Sequence, residues 1–368
     1  MRGISVDPSS NASSEEYHFY SLMSVLILIN IAFLMSGLTG CGQSPSTGGT
    51  YEIKYTVASR GIIGEEVATV KQWMDSVERA SSGRVKFTVL VGSTTDTDNY
   101  EALIAGTGDL ASNMTAVSPG RFPIMEMMTI CDIGTTCKRP AQVAWDLWKT
   151  YQKEIDNEFS EIQLLGFWAS APSPMGLGFA TVDQPVYTLE DVKGLKIGQN
   201  SEYGMKTCAA LGMATVPAGP PVVYENLQRK IMDGSFMDPE MMDSFKLAEL
   251  VKYYHSVNFH FMPFWFGVNK NSWSRLPADI RKILQDEAAK IPAWADSYHT
   301  EAALKAIESA KAKYGLQVIE IDRDEIARWR ALQDPIQQEY LEKLRKDKGI
   351  DAQKIFDTLN SLYAKYDQ

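Results

Sequence analysis

Hydrophobic positions divide the chain into an apolar leader and a long body of alternating strand and helix patterns. Val25 to Met35 is an apolar run whose one polar residue is Asn30. It is too short for an ordinary membrane-spanning helix and long enough for a signal-peptide core. Tyr51–Ala58 alternates with period two, which predicts a half-buried strand that delivers Ser59 and Arg60 to its C-terminal end. Val67, Val70, Trp73, Met74 and Val77 follow at helical spacing, Gly83 stops them, and Val85 to Val91 reads as a second strand. This is a βαβ unit, which joins parallel strands by a right-handed crossover.

The alternation continues. Tyr100 to Ala105 predicts a short helix, Asp109 to Thr115 a strand, Ala141 to Phe159 an amphipathic helix and Ile162 to Ser170 a strong strand. Thr188 and Asp191 suit the opening of one helical turn that Gly194 ends. Leu195-Lys196-Ile197 then reads as a strand, Tyr203 to Leu211 as a helix closed by Gly212, and Val222 to Met232 as a helix closed by Asp233-Gly234. Met241 to Tyr254 predicts another helix and His260 to Asn269 an apolar strand. Asp279 to Tyr314 has a helical pattern with Pro292 inside it, where a kink is expected. Leu316 to Ile321 adds a strand, and the C-terminal helices carry Trp329, Tyr340, Phe356 and Tyr363.

Several phrases occur together and in order. They are Leu189-Glu190-Asp191-Val192-Lys193-Gly194-Leu195-Lys196-Ile197, then Leu211-Gly212-Met213-Ala214-Thr215-Val216-Pro217, then Gln228 through Asp233-Gly234. Phe122-Pro123 with Glu126, and Asn269 to Trp273 with Leu276-Pro277, extend the pattern from about Tyr51 to the C-terminus. The chain resembles the solute-binding proteins of TRAP transporters, the DctP family. The resemblance implies an α/β periplasmic-binding-protein-like fold: two lobes with mixed sheets, joined by hinge strands and braced by a long kinked helix. It assigns 51–172 and 264–292 to the first lobe, and 173–263 with 293–368 to the second lobe and C-terminal helices. It also implies a small organic solute as ligand and the TRAP membrane permease subunits as partners.

One departure is large, because the arginine that the family carries after Ile197 is Gly198 here. In the family that arginine pairs with a ligand carboxylate, a strong bidentate contact that Gly198 cannot make and Gln199 replaces only with neutral hydrogen bonds. Two outcomes follow. Either Arg60 holds a carboxylate from the other lobe, or the solute is not a simple C4-dicarboxylate and is aromatic, neutral or amine-bearing. The candidate contacts, placed at strand ends and at re-entries into the cleft, are Ser59, Arg60, Asn113, Trp168, Gly198, Gln199, Tyr224, Phe236, Met237, Asp238, Glu240, Phe264 and Trp265.

Composition narrows the alternatives. At 368 residues the chain is long enough for two domains with full cores. A formal net charge of -10 disfavours nucleic acid and adsorption to anionic lipid. Leu38-Thr39-Gly40-Cys41 resembles a bacterial lipobox, so residues 1–40 read as a signal peptide, with Met23 an alternative start. Lipidated Cys41 and the small polar residues 42–50 then form a tether, which places the body in the periplasm or on the outer face of the cytoplasmic membrane. In that oxidising space Cys131 and Cys137, enclosing a five-residue loop, suit a disulfide, and Cys208 packs as a small hydrophobe.

Catalytic and cofactor signatures are missing from the sequence: no Gly-x-Ser-x-Gly, His-Glu-x-x-His, P-loop or Cys/His metal spacing occurs, and the four histidines are scattered. The expectation is therefore a receptor without cofactor or metal. Its rivals are a receptor serving an ABC importer or sensor kinase, and a lipoprotein enzyme on the same fold.

Overall fold

In β1 (Tyr51–Ala58) the period-two pattern takes effect: Ile53, Tyr55 and Val57 are buried while Glu52 and Lys54 face solvent. The computed structural model describes residues 49–58, 64–94, 99–170, 172, 175–199 and 201–368. Cys41, its leader, most of the tether, Ser59 and Arg60 lie outside the described residues. After β1 come α1 (Gly64–Ala80), β2 (Val85–Thr94), α2 (Asn99–Ala105), β3 (Leu110–Met114), α3 (Pro123–Glu126), α4 (Pro140–Thr150), α5 (Gln152–Glu158) and β4 (Ile162–Ser170). The middle of the chain forms β5 (Gly178–Thr181), β6 (Lys196–Gln199), α6 (Glu202–Ala210), β7 (Ala214–Pro217), α7 (Pro220–Gln228), β8 (Gly234–Met237), α8 (Pro239–Ser244) and β9 (Tyr253–Ser256). It ends with β10 (Met262–Asn269), α9 (Lys270–Arg275), α10 (Ala278–Ala288), α11 (Ile291–Tyr314), β11 (Gln317–Glu320), α12 (Arg323–Lys348) and α13 (Ala352–Tyr366).

The strands make two mixed sheets, one per lobe. The first runs β2-β1-β3-β10-β4, with β1 parallel to β2 and β3, and β10 antiparallel to both β3 and β4. The second runs β11-β9-β5-β8-β6-β7, parallel within β11-β9 and within β8-β6-β7. The chain passes from the first sheet to the second between β4 and β5, and returns between β9 and β10. These two crossings join the lobes.

Three predicted helices are broken. The segment expected as Ala141–Phe159 divides at Tyr151, whose φ of -115° and ψ of 38° leave the helical region; its hydroxyl bonds Thr358 Oγ1 of α13 at 2.9 Å. The helix expected over Met241–Tyr254 stops early, because Lys246 turns left-handed at φ 56° and Tyr253–Ser256 becomes strand β9. Here His255 is locked: Val186 N donates to Nε2 at 2.9 Å, Nδ1 meets Phe179 O at 3.1 Å, and the ring stacks on Phe179. The long helix also divides, at Ala289-Lys290, and Pro292 stands in the first turn of α11. A first-turn proline costs no intrahelical hydrogen bond, so the chain starts a new helix where a kink was expected.

Asp191 partners Thr188 as expected, its carboxylate accepting the amides of Tyr187 and Thr188 and the Thr188 hydroxyl, although the segment forms a turn and not a helix. One further expectation changes. The C-terminal helices do not pack with the second lobe alone. Trp329 of α12 enters the core beneath the second sheet, whereas Leu341, Leu344, Phe356, Leu359 and Tyr363 pack into the core of the first. They strap the lobes together, and Thr50–Gln368 forms one compact unit.

Candidate ligand cleft

Cross-strand register decides which side chains reach the space between the sheets. In the first sheet Phe264 of β10 pairs with Met114 of β3 on one side and with Trp168 of β4 on the other, and Met262 pairs with Ser170. Directly paired residues share a face. Met114, Ser170, Met262 and Phe264 therefore line the first wall of the cleft. Trp168 lies flat beside Phe264 on that face, ring centroids 5.2 Å apart and 2° from parallel, but is fully buried and does not line the cleft. Trp265 and Asn113 take the opposite face. Trp265 packs edge-on against Tyr100 at 5.2 Å, and the Asn113 side-chain oxygen accepts the Met114 amide.

The second wall comes from the C-terminal ends of β6 and β8 and the start of α7 and α8. Gly198, Gln199, Ala218, Pro220, Phe236, Asp238 and Met241 line it, with Leu177 and His260 at the two crossings. Open α/β sheets place their ligand crevices beyond these carboxyl ends. Phe236 is held edge-on by Phe259, centroids 4.5 Å apart. Asp238 caps α8, its Oδ1 accepting the Met241 amide at 2.7 Å, and this fixes the carboxylate at the cleft wall. The space between these residues amounts to about 600 Å³ when its part open to solvent is counted. A wider, more open concavity of mixed charge lies over Gly134, Asp322, Arg323 and Arg330 at the ends of β9 and β11, on the outer edge of the second sheet.

The remaining predicted contacts fall elsewhere. Met237 alternates away from Phe236 into the core around Tyr254. The Tyr224 hydroxyl bonds Glu249 on the surface. Glu240 lies behind the cleft, 7% exposed, with Oε1 3.0 Å from His299 Nδ1. Burial pushes Glu240 up to about 8 and His299 down to about 4, so both stand in their neutral forms at pH 7. Cys131, Cys137 and Cys208 are all buried, and no S–S bond is drawn between Cys131 and Cys137. The Cys131 thiol is directed to Phe259 O, and the intervening loop is pinned from outside by Gly134 N to Asn258 O and Ile133 N to Gln333 Oε1.

Gly198 is more than a missing arginine. A Cβ built there would lie 2.8 Å from Met232 Sδ and 2.8 Å from Ser235 Oγ, so the space beside its backbone is already filled. Among the described lining residues Asp238 is the one charged side chain, and lysine and arginine are absent. Sequence reasoning missed His260 and the methionines Met114, Met241 and Met262. Met114 and Met262 at strand ends and Met241 in a short helix carry no pattern distinct from core, and the scattered histidines gave no spacing to read. Among the described residues no cluster of histidine, cysteine and acidic side chains suits a metal, and no helix is long and apolar enough to cross a membrane.

Residues 57–344 match DctP, the bacterial extracellular solute-binding proteins of family 7. The chain belongs to that family. The DctP protein of Rhodobacter capsulatus, a C4-dicarboxylate-binding periplasmic protein, is 27% identical over 181 residues, 49% of this chain and 53% of the relative. The chain thus spans about half the length of that curated relative. A TRAP periplasmic solute-binding protein from Desulfovibrio salexigens, solved in an open complex, superposes with a TM-score of 0.77 at 25% identity, covering 86% of this chain and 97% of that one. A TRAP solute-binding protein from Rhodoferax ferrireducens, solved with copurified benzoate, gives 0.76 at 22% identity over 86% and 98%. The two-lobe DctP fold is therefore established for the chain.

Proposed function

We propose that the chain is the extracytoplasmic solute receptor of a TRAP secondary transporter, and that it captures a small ring-bearing solute other than a C4-dicarboxylate. The observation that carries this reading is the cleft lining. Phe264 and Phe236 contribute aromatic rings from opposite walls beside Met114, Met241 and Met262, and the acidic residue among the lining is Asp238. An apolar, aromatic lining suits a ring, and the described lining offers no lysine or arginine to an acid. A dicarboxylate enclosed here would lose hydration worth several kcal/mol, on the order of the affinity a receptor needs, without a cationic partner among the described residues. Closure of the lobes about the two crossings would add contacts made only in the closed form, and those contacts supply the free energy of closing.

A second reading keeps the ring and adds one carboxylate held by Arg60. The benzoate found in the R. ferrireducens protein favours it, since it shows the fold accommodating an aromatic acid. In both readings the receptor hands its solute to the permease, carries out no chemistry on it, and is tethered by lipid at Cys41. A Cys41→Ala form then accumulates as uncleaved precursor, whereas a wild-type protein recovered soluble and cut elsewhere contradicts the tether. The solute class is tested by unfolding full-length protein purified from its native host and identifying the released small molecules by mass spectrometry. A ring-bearing compound in stoichiometric yield is expected, and succinate, malate or fumarate in its place would refute the reading.

A further inference from the structure

His260 sits on the crossing that returns the chain from the second lobe to the first, two residues before β10. His260 lines the cleft and is 9% exposed. No hydrogen bond joins its imidazole to a described residue. Both His255 nitrogens are engaged by backbone, and His299 bonds Glu240 through Nδ1 while its Nε2 is buried without a partner, away from the cleft lining. A buried polar group is nearly always hydrogen-bonded, and one that faces a cavity with no protein partner is provided for by what the cavity holds.

We propose that His260 is a specificity-determining residue of the cleft, its imidazole hydrogen-bonding an uncharged polar group, a hydroxyl or amide, on the ring of the bound solute. This rests on the ring-bearing solute proposed above and adds the group that the ring must carry. Burial holds the His260 imidazole neutral at pH 7, pushed down to about 4, so it offers one donor and one acceptor. Asp238 also lines the cleft, with its Oδ1 already taken by the Met241 amide, and no lysine or arginine joins it among the described lining residues. A hydroxyl or amide satisfies either imidazole nitrogen at no electrostatic cost. The position on a crossing matters as well, because a bond made there forms against the segment about which the lobes move.

The test uses full-length protein and five probes of similar size: 3-hydroxybenzyl alcohol, benzamide, benzoate, benzylamine and succinate. Affinities are measured by calorimetry for wild type, His260→Ala and His260→Gln, with circular dichroism to confirm folding. The hydroxyl or amide probe is expected to bind most tightly, His260→Ala to weaken it tenfold or more, and His260→Gln, which keeps a donor and an acceptor, to restore most of the loss. In nitrogen-15 histidine-labelled wild type, the His260 ring nitrogen signals should move on adding that probe. Unchanged affinity in His260→Ala, or preferred binding of benzoate or benzylamine, overturns the role of His260 while leaving a ring-binding receptor. Preferred binding of succinate overturns the ring-bearing solute itself, and no binding by any probe overturns the hydroxyl-or-amide class and this role with it.

Discussion

His299 Nδ1 lies 3.0 Å from Glu240 Oε1, and this buried bond joins the helix that begins at Asp238 in the cleft to the helix that braces both lobes. One turn earlier on α11, Asp296 accepts the amides of Ala141 and Gln142 at the start of α4, which packs on the first sheet. A single turn of α11 thus grips both lobes.

The pair sets a pH dependence. Burial raises Glu240 from 4.5 to about 8, so the native state keeps a proton that the unfolded chain releases; this contribution is complete below pH 4.5 and is lost as pH rises to 8. Burial lowers His299 from 6.5 to about 4, so its contribution runs the other way and grows between pH 4 and 6.5. The two oppose each other up to pH 6.5, and above it Glu240 acts alone. Denaturant melts should show wild type losing about 1–2 kcal/mol between pH 6.5 and 8. Glu240→Gln should remove most of that slope; an equal slope in the variant would mean that Glu240 is ionised throughout.

Gly198 gives a second prediction. With Met232 Sδ and Ser235 Oγ each 2.8 Å from the position of a Cβ, Gly198→Ala should cost about 1–3 kcal/mol. Gly198→Arg should cost more and should not by itself confer succinate binding. Pairing it with Met232→Ala should recover stability. A Gly198→Arg protein as stable as wild type would show that the space is open.

The thiols give a third. Cys131 and Cys137 are fully buried, and burial raises both thiols, that of Cys137 to about 12, so neither is a reactive thiolate. Alkylation without reductant should be slow on native protein and complete at both residues after unfolding. Protection that persists in the unfolded chain would indicate a disulfide.

Much of the fold was legible because periodicity reports local structure and the signature phrases fix their order. β1, β4 and β10 emerged from alternation and apolar runs alone. Errors came where a tertiary partner overrides local preference: Tyr151 leaves its helix to meet α13, and His255 becomes strand through Phe179 and Val186. The cleft was only half legible. Strand ends pointed to Gln199, Phe236, Asp238 and Phe264, but whether Phe264 or Trp265 faces the ligand is a matter of register, set by Met114 and Trp168 on neighbouring strands. A one-residue shift reverses every facing, and no local pattern in β10 reveals it. His260 stayed hidden because an unbonded imidazole is a property of its surroundings.

This cleft should reject the C4-dicarboxylates for which its Rhodobacter capsulatus relative is named. Thermal unfolding of full-length wild type and Arg60→Ala, with and without millimolar succinate and malate, decides the point. Ligand at a hundred times its dissociation constant stabilises a protein by about 2.7 kcal/mol, enough to raise the midpoint by several degrees. Midpoints should stay unchanged with both acids in both proteins. A strong rise with succinate or malate in wild type, whether or not it survives Arg60→Ala, would show that the cleft takes them.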